Sequence, residues 1–399
     1  MVEARLVAGR AGRGLYTAEA TFNACTEVVT YQVEVVTTRG DDREHIYGFP
    51  QVGRFARGVD QSVPETCASN RHAREPRLFI PQLQDIDGAN VGTGENVCSN
   101  TVAGILTCSL RAAIQEANAN DSFDLIRVPP GRYPLTLEAP EGFDVRGGGA
   151  DDAFGDLDIT SSMAIQGDVP TDIVMKDIVR SDSEGTGIFL GPRADEFVVI
   201  DANELSRVLH VAEGVDLRLS GVVLTGGRAL GGTLFDEQLG GGLFNEGRVD
   251  LERVIIAGNG PANTVGLGVG VGNTGKIFGT EVAIVENLGG LDTGAPAIFG
   301  GDWRLDRSLI AQNAGGRFVQ PIYGANLKLY NSVIGWNGSG GEDHRDFSDN
   351  GTAQILDGRL IAINSTFLGS RLYRPFNGGS EAYIANSLII TENGDVSDT

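Results

Sequence analysis

Apolar and polar residues alternate in short runs along most of the chain, which is the pattern of β-strands with one buried face. The run over residues 28–36, VVTYQVEVV, is one example. In one segment, however, the apolar residues recur at helical spacing, and they are Leu110, Ala113, Ile114 and Ala117. Ser109 precedes them as a suitable N-cap. We therefore predict an all-β protein with a single helix over residues 108–119.

From residue 247 onward the strand pattern repeats. Each unit begins at a turn, and these turn residues are Gly247, Gly275, Gly301, Ala325 and Gly358. Twelve residues after each turn residue lies a second turn position, which is occupied by Asn259, Asn287, Asn313, Asn337 and Ser370. Counted from the turn residue, the second and ninth residues that follow it are apolar, and the seventh is small. The arcs between units vary from 12 to 21 residues.

A constant half joined to a variable half is typical of a solenoid, because stacking fixes one wall and insertions collect elsewhere. The alternation with a period of two indicates strands, so we predict a parallel β-solenoid with a spacing of ~4.8 Å between strands. Its asparagines can form a hydrogen-bonded ladder over Asn259, Asn287, Asn313 and Asn337. Alternatively, asparagine occurs there because it tolerates a left-handed turn.

Residues 1–95 lack this repeat and are predicted to form a small β-rich module that carries disulfides, with the solenoid over residues 96–399. All four cysteines lie in the first 108 residues, at Cys25, Cys67, Cys98 and Cys108. Four cysteines allow three pairings, and we expect the sequential one, with unpaired thiols as the alternative. Zinc is disfavoured because Cys-x-x-Cys is absent and the four histidines are scattered.

The predicted helix begins with Thr107-Cys108-Ser109-Leu110-Arg111-Ala112-Ala113-Ile114. This run resembles the Cys-Ser-Leu-Arg-Glu-Ala motif of the CSLREA-domain family, with Ala112 in place of the glutamate. The segments VPPGRY at 128–133, GDLDI at 155–159 and GGGLFNEG at 240–247 are also similar to that family. The resemblance covers residues 96–393 and implies a right-handed parallel β-helix of the pectate-lyase-like type, exported or surface-attached. It further implies that the helix is a structural cap.

Charge and hydropathy restrict the function classes. A net charge of −22 is unfavourable for an unaided nucleic-acid binder. No apolar run is long enough to span a membrane. The first residues lack the apolar core of a signal peptide, but the placement of the cysteines favours export. We expect an extracellular or cell-surface protein whose leader has been removed, with a cytoplasmic protein as the alternative.

The outward positions of the repeat supply the candidate catalytic residues Arg304, Lys328, Tyr330 and Asp306. If the register holds, these side chains meet on adjacent strands. A polysaccharide lyase needs a cation to neutralise a uronate carboxylate and a base to remove the C5 proton. The residue types fit that chemistry, although an ion-paired, solvated wall would have the same sequence.

Two acidic segments are candidates for other roles. The longest arc contains Glu342, Asp343, Asp346 and Asp349, whose oxygens suit calcium, with a solvated loop as the alternative. Calcium is the single cofactor that the sequence suggests. A second acidic cluster comprises Asp151, Asp152, Asp156 and Asp158, again with a solvated loop as the alternative. His210 lies between Leu209 and Val211, where we expect a structural role.

We expect a structural or adhesive protein, not an enzyme, that binds a polymer or a partner through loops on one side. The alternative is a polysaccharide lyase or glycoside hydrolase acting on an acidic polysaccharide. A further alternative is a filament subunit that self-associates end to end through the last unit, residues 383–390.

Overall fold

The computed structural model describes residue 81 and residues 108–119, 123–138, 154–168, 197–228, 239–260, 268–288, 297–313, 322–335, 337, 358–368 and 382–390 in full. Outside these ranges it describes the backbone of the strands given below. The chain divides into two compact units, Met1–Arg74 and Glu75–Thr399. The described strands of the first unit are two antiparallel hairpins, β1 (Arg5–Arg10) with β2 (Arg13–Thr17) and β3 (Val28–Arg39) with β4 (Asp42–Ala56).

The second unit contains three parallel sheets, which we name A, B and C. Sheet A consists of β5 (Leu78–Phe79), β8 (Asp124–Val128), β11 (Met163–Gly167), β16 (Asp216–Ser220), β19 (Arg248–Glu252), β22 (Lys276–Thr280), β25 (Asp302–Asp306), β29 (Asn326–Tyr330), β33 (Arg359–Ile363) and β35 (Glu381–Ala385). Sheet B consists of β9 (Gly131–Pro134), β14 (Val198–Asp201), β17 (Val222–Thr225), β20 (Ile255–Ala257), β23 (Ala283–Val285), β26 (Leu309–Ala311), β30 (Val333–Gly335), β34 (Thr366–Leu368) and β36 (Leu388–Ile390).

Sheet C consists of β10 (Leu157–Ile159), β15 (Leu209–Val211), β18 (Leu243–Asn245), β21 (Val271–Asn273), β24 (Ile298–Phe299), β28 (Ile322–Tyr323) and β32 (Ile355–Leu356). The remaining strands form short pairs, β6 (Asn100–Val102) with β7 (Ile105–Thr107), β12 (Val179–Ser181) with β13 (Ile188–Leu190), and β27 (Ala314–Gly315) with β31 (Gly338–Ser339). One turn of the chain adds a strand to sheets C, A and B in that order, and we call this turn a rung. The predicted fold class, a right-handed parallel β-helix, is confirmed.

The core lies between the three sheets, and the predicted repeat sets its register. The second position of the unit is buried and pairs in sequence across sheet A, as Val249, Ile277, Trp303, Leu327 and Leu360. The ninth does so in sheet B, as Ile256, Ile284, Ile310, Ile334 and Phe367. Sheet B also buries residues of its other face, including Val199, Val223 and Ala283. Burial of both faces explains why its central strands β20, β23 and β26 are continuously apolar, as in other parallel sheets.

Helix α1 (Leu110–Asn118) forms where the helical pattern predicted it. The Ser109 hydroxyl accepts a hydrogen bond from the Ala112 backbone amide at 3.0 Å, as expected for an N-cap. Ala112 is fully buried, as are Ala113 and Ile114, so the apolar face of α1 joins the core. Strand β5 pairs in parallel with β8 and lies in the second compact unit, which begins at Glu75. The domain boundary at 95/96 stays a prediction.

A left-handed residue separates sheets A and B in successive rungs. Its φ is 56° at Glu281, 48° at Arg307 and 51° at Asn331. The small residue of the seventh position comes directly after this left-handed residue. Where it is a serine, its hydroxyl forms hydrogen bonds that close the turn. The Ser308 hydroxyl accepts from the Val282 amide at 3.1 Å and donates to the Asp306 carbonyl at 2.9 Å. The small side chain at the seventh position is therefore a hydrogen-bonding group in these rungs.

The predicted asparagines form a continuous ladder after sheet B. Asn259 donates to the side-chain oxygen of Asn287, which donates to Asn313, which donates to Asn337, each at 2.9 Å. All four are buried. A second ladder step, from Asn245 to Asn273 at 2.8 Å, joins the last residues of strands β18 and β21 of sheet C and was not predicted from the sequence.

The last described strands of sheets A and B carry exposed apolar side chains. Tyr383 is 61% exposed and Leu388 is 56% exposed. End-to-end association through this rung stays a prediction. Among the described residues, no helix is both long and apolar enough to cross a membrane.

Candidate functional site

The outer face of sheet A brings the four predicted catalytic residues together. Arg304 pairs with Lys328, and Asp306 pairs with Tyr330, on the adjacent strands β25 and β29. Lys328 is exposed and the other three side chains are half-buried. The Arg304 guanidinium lies 5.1 Å from the centre of the Tyr330 ring, within the range of a cation–π contact.

Two further Arg–aromatic contacts lie on the same face. The Arg248 guanidinium is 4.4 Å from the centre of the Phe278 ring, and that of Arg218 is 5.1 Å from the ring of Phe123. Each contact holds a long cationic side chain across a flat apolar ring, which reduces the conformations that it can adopt.

These cations belong to a row that we call the cation row. Each of six consecutive strands of sheet A, β16 to β33, carries one Lys or Arg, and all point outward. The row comprises Arg218, Arg248, Lys276, Arg304, Lys328 and Arg359. At ~4.8 Å per strand it is about 24 Å long. Two of the three lysines of the chain belong to it.

The same face of these six strands carries five carboxylates, at Asp216, Asp250, Glu252, Asp302 and Asp306. Three have local partners. Asp250 pairs with Arg248 at 3.1 Å, and Asp302 accepts from the Asn326 amide at 3.0 Å. Asp306 accepts from Arg307 at 2.6 Å and from Asn331 at 2.7 Å. The face is thus close to neutral on a chain of net charge −22.

Other predicted sites lie outside the described residues. They include the candidate calcium ligands Glu342, Asp343, Asp346 and Asp349, and the cysteines Cys25, Cys67 and Cys98. Cys108 is half-buried and packs against the core at the start of α1. Calcium binding and the disulfide pairing therefore stay predictions.

The sequence did not foresee a second feature, which we call the buried ionic cluster. It consists of Asp156, Asp158, Arg207, His210 and Glu246 near sheet C. His210 Nδ1 lies 2.8 Å from Asp158 Oδ1, and Nε2 lies 2.9 Å from Glu246 Oε2. Arg207 donates to Asp156 at 2.8 Å. The His210 ring stacks on Phe244, with centres 5.0 Å apart.

The geometry of the cluster requires one more proton than a neutral imidazole and two ionised carboxylates carry. A neutral imidazole has one N–H donor, and carboxylate oxygens only accept. Both His210 nitrogens face carboxylate oxygens, so the histidine is an imidazolium or one carboxyl is protonated.

The pKa values follow from the same contacts. Burial opposes the charged form of His210, but hydrogen bonds to Asp158 and Glu246 outweigh it and raise its pKa to about 9. Burial, together with the nearby charge of Asp156, raises the pKa of Asp158 to about 6. Arg207 has a raised pKa, because its carboxylate partners outweigh its burial. The folded cluster thus binds protons more tightly than separate groups would.

Ligand atoms of Asp156, Asp158 and His210 lie within 4.8 Å of one another, a spacing that suits a metal ion. The cluster already contains cations, however. Arg207 holds Asp156 Oδ2, and the His210 ring has both nitrogens on carboxylates. A metal would have to displace the His210 proton and share Asp156 with a guanidinium. The arrangement therefore favours internal ion pairing.

Alternation in the sequence does place Asp158, His210 and Phe244 on the outward side of sheet C, paired across β10, β15 and β18. Outward residues of a solenoid are ordinarily solvated, yet Asp158 is 2% exposed and His210 is 7% exposed. No sequence signal shows which outward positions are covered. The structural role expected for His210 stays a prediction.

Comparisons with known proteins find only distant likenesses among solved structures. No family model and no curated protein matches the chain. Pectate lyase Pel9A is 13% identical over 81% of this chain and 79% of its own, with a TM-score of 0.33. Escherichia coli YbhC is 14% identical over 86% and 89%, with a TM-score of 0.35. Pectin methylesterase from carrot is 11% identical over 71% and 79%, with a TM-score of 0.33. These likenesses concern the parallel β-helix fold alone, and membership of the CSLREA family stays a prediction.

Proposed function

We propose that the protein is an exported or cell-surface β-helix that binds a linear acidic polysaccharide along the cation row, in a structural or adhesive role. The observation that carries the proposal is the presence of one outward cation on each of six consecutive strands. A hexose in an extended chain adds a length similar to the distance between strands. A polymer with one carboxylate per sugar therefore meets a cation at each step along the axis.

The chemistry of the row suits this ligand. Guanidinium groups bind carboxylates in a bidentate manner, and ammonium groups bind them as point charges. The rings of Phe278 and Tyr330 add apolar surface for the C–H faces of sugars. The negative charge elsewhere on the protein is screened over about 8 Å at physiological ionic strength, so the local charges of the wall control binding.

The binding surface in this proposal is a sheet face and not the loops that the sequence suggested. The sequence had suggested loops on one side, whereas the described contacts that suit a polymer lie on strands β16 to β33. A sheet face is a rigid template, and binding to it does not require ordering of a segment.

The test is a binding titration with polygalacturonate, alginate and a neutral glucan. We expect the two acidic polymers to bind, the neutral one to fail, and sodium chloride to weaken binding. The double substitution Lys276→Gln with Lys328→Gln should reduce the affinity about tenfold, because each exposed ionic contact contributes about 0.5–1 kcal/mol. Arg228→Gln removes an exposed charge that follows sheet B and should leave the affinity unchanged. Equal losses in both variants would contradict the proposal.

A lyase is the second candidate, because the register places Lys328 and Tyr330 beside Arg304. Arg304 would neutralise the uronate carboxylate while Lys328 or Tyr330 removes the C5 proton. The C4–C5 double bond then forms as the C4–O bond breaks, and the leaving glycosidic oxygen takes a proton from water. The titration samples distinguish the two functions by the ultraviolet absorbance of the unsaturated product. Binding without that product supports the adhesive role, whereas a product abolished by Lys328→Ala and Tyr330→Phe supports the lyase.

The location is tested separately. Antibody labelling of intact cells that express the full gene product should detect the protein at the surface or in the medium. Signal confined to lysed cells would contradict export without affecting the binding result.

A further inference from the structure

The buried ionic cluster connects helix α1 to three successive rungs. Arg111 of α1 donates to the carbonyls of Gly155 at 2.7 Å and Asp156 at 3.0 Å. Asn118, at the other end of α1, donates to the Asp158 carbonyl at 2.7 Å and accepts from the Thr160 amide at 2.9 Å. The helix is therefore held by the backbone of the segment that carries the two aspartates.

The side chains of that segment continue the connection. Asp156 binds Arg207, which precedes β15, and Asp158 binds His210 within β15. His210 then binds Glu246, which follows β18. Since all of these bonds except the one at Glu246 are nearly excluded from solvent, breaking one leaves a buried polar group without its partner.

We propose that the Asp158–His210–Glu246 bridge is a proton-controlled latch, closed while His210 carries its second ring proton, that fastens the cap helix to the first rungs. When this proton leaves, one carboxylate faces an imidazole lone pair instead of an N–H, and a contact becomes repulsive. The segment that holds Arg111 and Asn118 is then less firmly held to β15. Helix α1 loosens as a consequence.

The charged groups that face His210 among the described residues are Asp156 and Asp158 from the β10 segment, Glu246 after β18, and Arg207 on its own segment. Three carboxylates outnumber Arg207, so the balance favours retention of the proton. The folded-state pKa of about 9 lies above the ordinary value of 6.5. The stabilisation is therefore fully present below the ordinary value and is lost as the pH rises through about 9.

The first measurement is the melting temperature of wild type and His210→Gln from about pH 7 to about pH 10. Glutamine retains one donor and one acceptor but cannot carry the charge. We expect the variant to melt at a lower temperature than wild type near neutral pH and the difference to shrink by more than half at the alkaline end. A difference that is constant with pH would overturn the latch.

Glu246→Gln is the second variant, since Glu246 lies at the partly exposed end of the bridge and its replacement is the more tolerable for folding. It should show the same convergence. Deuterium uptake at one fixed neutral pH then locates the effect. Both variants should accelerate uptake in residues 110–118 and 155–160 but not in 322–335, whereas Asn326→Ala, on exposed sheet A, should leave uptake in 110–118 and 155–160 unchanged.

The protonation state is read from the imidazole resonances of histidine-labelled protein. The chain has four histidines, so the signal that disappears in His210→Gln identifies the residue. We expect an imidazolium signal at neutral pH that does not respond to added Zn²⁺. Titration below about pH 7, or a shift on addition of Zn²⁺, would overturn the proposal in favour of a neutral histidine or a metal site.

Discussion

The two N–H groups of the Asn287 side chain donate to the side-chain oxygen of Asn313 at 2.9 Å and to the carbonyls of Ile256 at 2.9 Å and Val285 at 3.1 Å, so that one hydrogen is shared between two acceptors. Asn287 in turn accepts from Asn259. Because the residue is fully buried, one side chain satisfies polar groups on three rungs where water cannot replace it.

Asn287→Ala should therefore lower the free energy of unfolding by about 3 kcal/mol, since several buried polar groups lose their partner at once. Urea denaturation followed by circular dichroism measures this change. Asn326→Ala is the matched control, because Asn326 is exposed on sheet A and its bond to Asp302 is replaceable by water. We expect that control within about 0.5 kcal/mol of wild type. Similar losses in both variants would mean that the ladder is dispensable.

Two Glu→Gly substitutions should change the free energy of unfolding differently, because the backbone conformation differs at the two positions. Glu281 has a φ of 56°, a conformation that glycine adopts without steric cost, whereas Glu252 lies at the end of strand β19. Glu281→Gly should leave the free energy of unfolding unchanged or raise it by up to about 1 kcal/mol, despite the loss of its exposed ion pair with Arg307. Glu252→Gly should lower it by about 0.5–1 kcal/mol. A similar decrease in the free energy of unfolding for both variants would contradict this prediction.

The register of the sheets was predictable because each rung repeats the same inward positions. Once Ile277, Trp303 and Leu327 were assigned to one face, the meeting of Arg304 with Lys328 followed. The cation row could be recognised only once the strand boundaries were known, because three of its members occupy the first position of a strand and three occupy the third. The buried ionic cluster was not predictable, because its burial depends on which part of the chain covers the outer side of sheet C.

The N-cap of α1 gives a prediction about the cap helix. Ser109→Ala removes the acceptor of the Ala112 amide and should lower the free energy of unfolding by about 1 kcal/mol. Ser109→Asn restores an uncharged acceptor and should recover part of that loss. Equal destabilisation by alanine and asparagine would show that Ser109 acts through packing and not as a cap.

Titration of the Asp158 carboxyl should make the free energy of unfolding depend on pH in the acid range. Its pKa is raised from 3.8 to about 6, so the folded protein prefers the protonated carboxyl. The stabilisation from this group is complete below the ordinary pKa and is lost as the pH rises through about 6. Between about pH 4 and pH 7 the group should therefore remove about 3 kcal/mol from the free energy of unfolding.

Asp158→Asn cannot titrate, so its free energy of unfolding should lack this decrease of about 3 kcal/mol between about pH 4 and pH 7. A constant difference in stability from wild type does not affect this comparison of slopes. Urea denaturation at several pH values measures the slope, and Thr280→Ala, a non-titrating change on sheet A, should keep the slope of wild type. Parallel curves for Asp158→Asn and wild type would show that the carboxyl titrates alike in the folded and unfolded chain. The buried ionic cluster would then not draw protons to Asp158, and the excess of negative charge inferred around His210 would have to be compensated by another group.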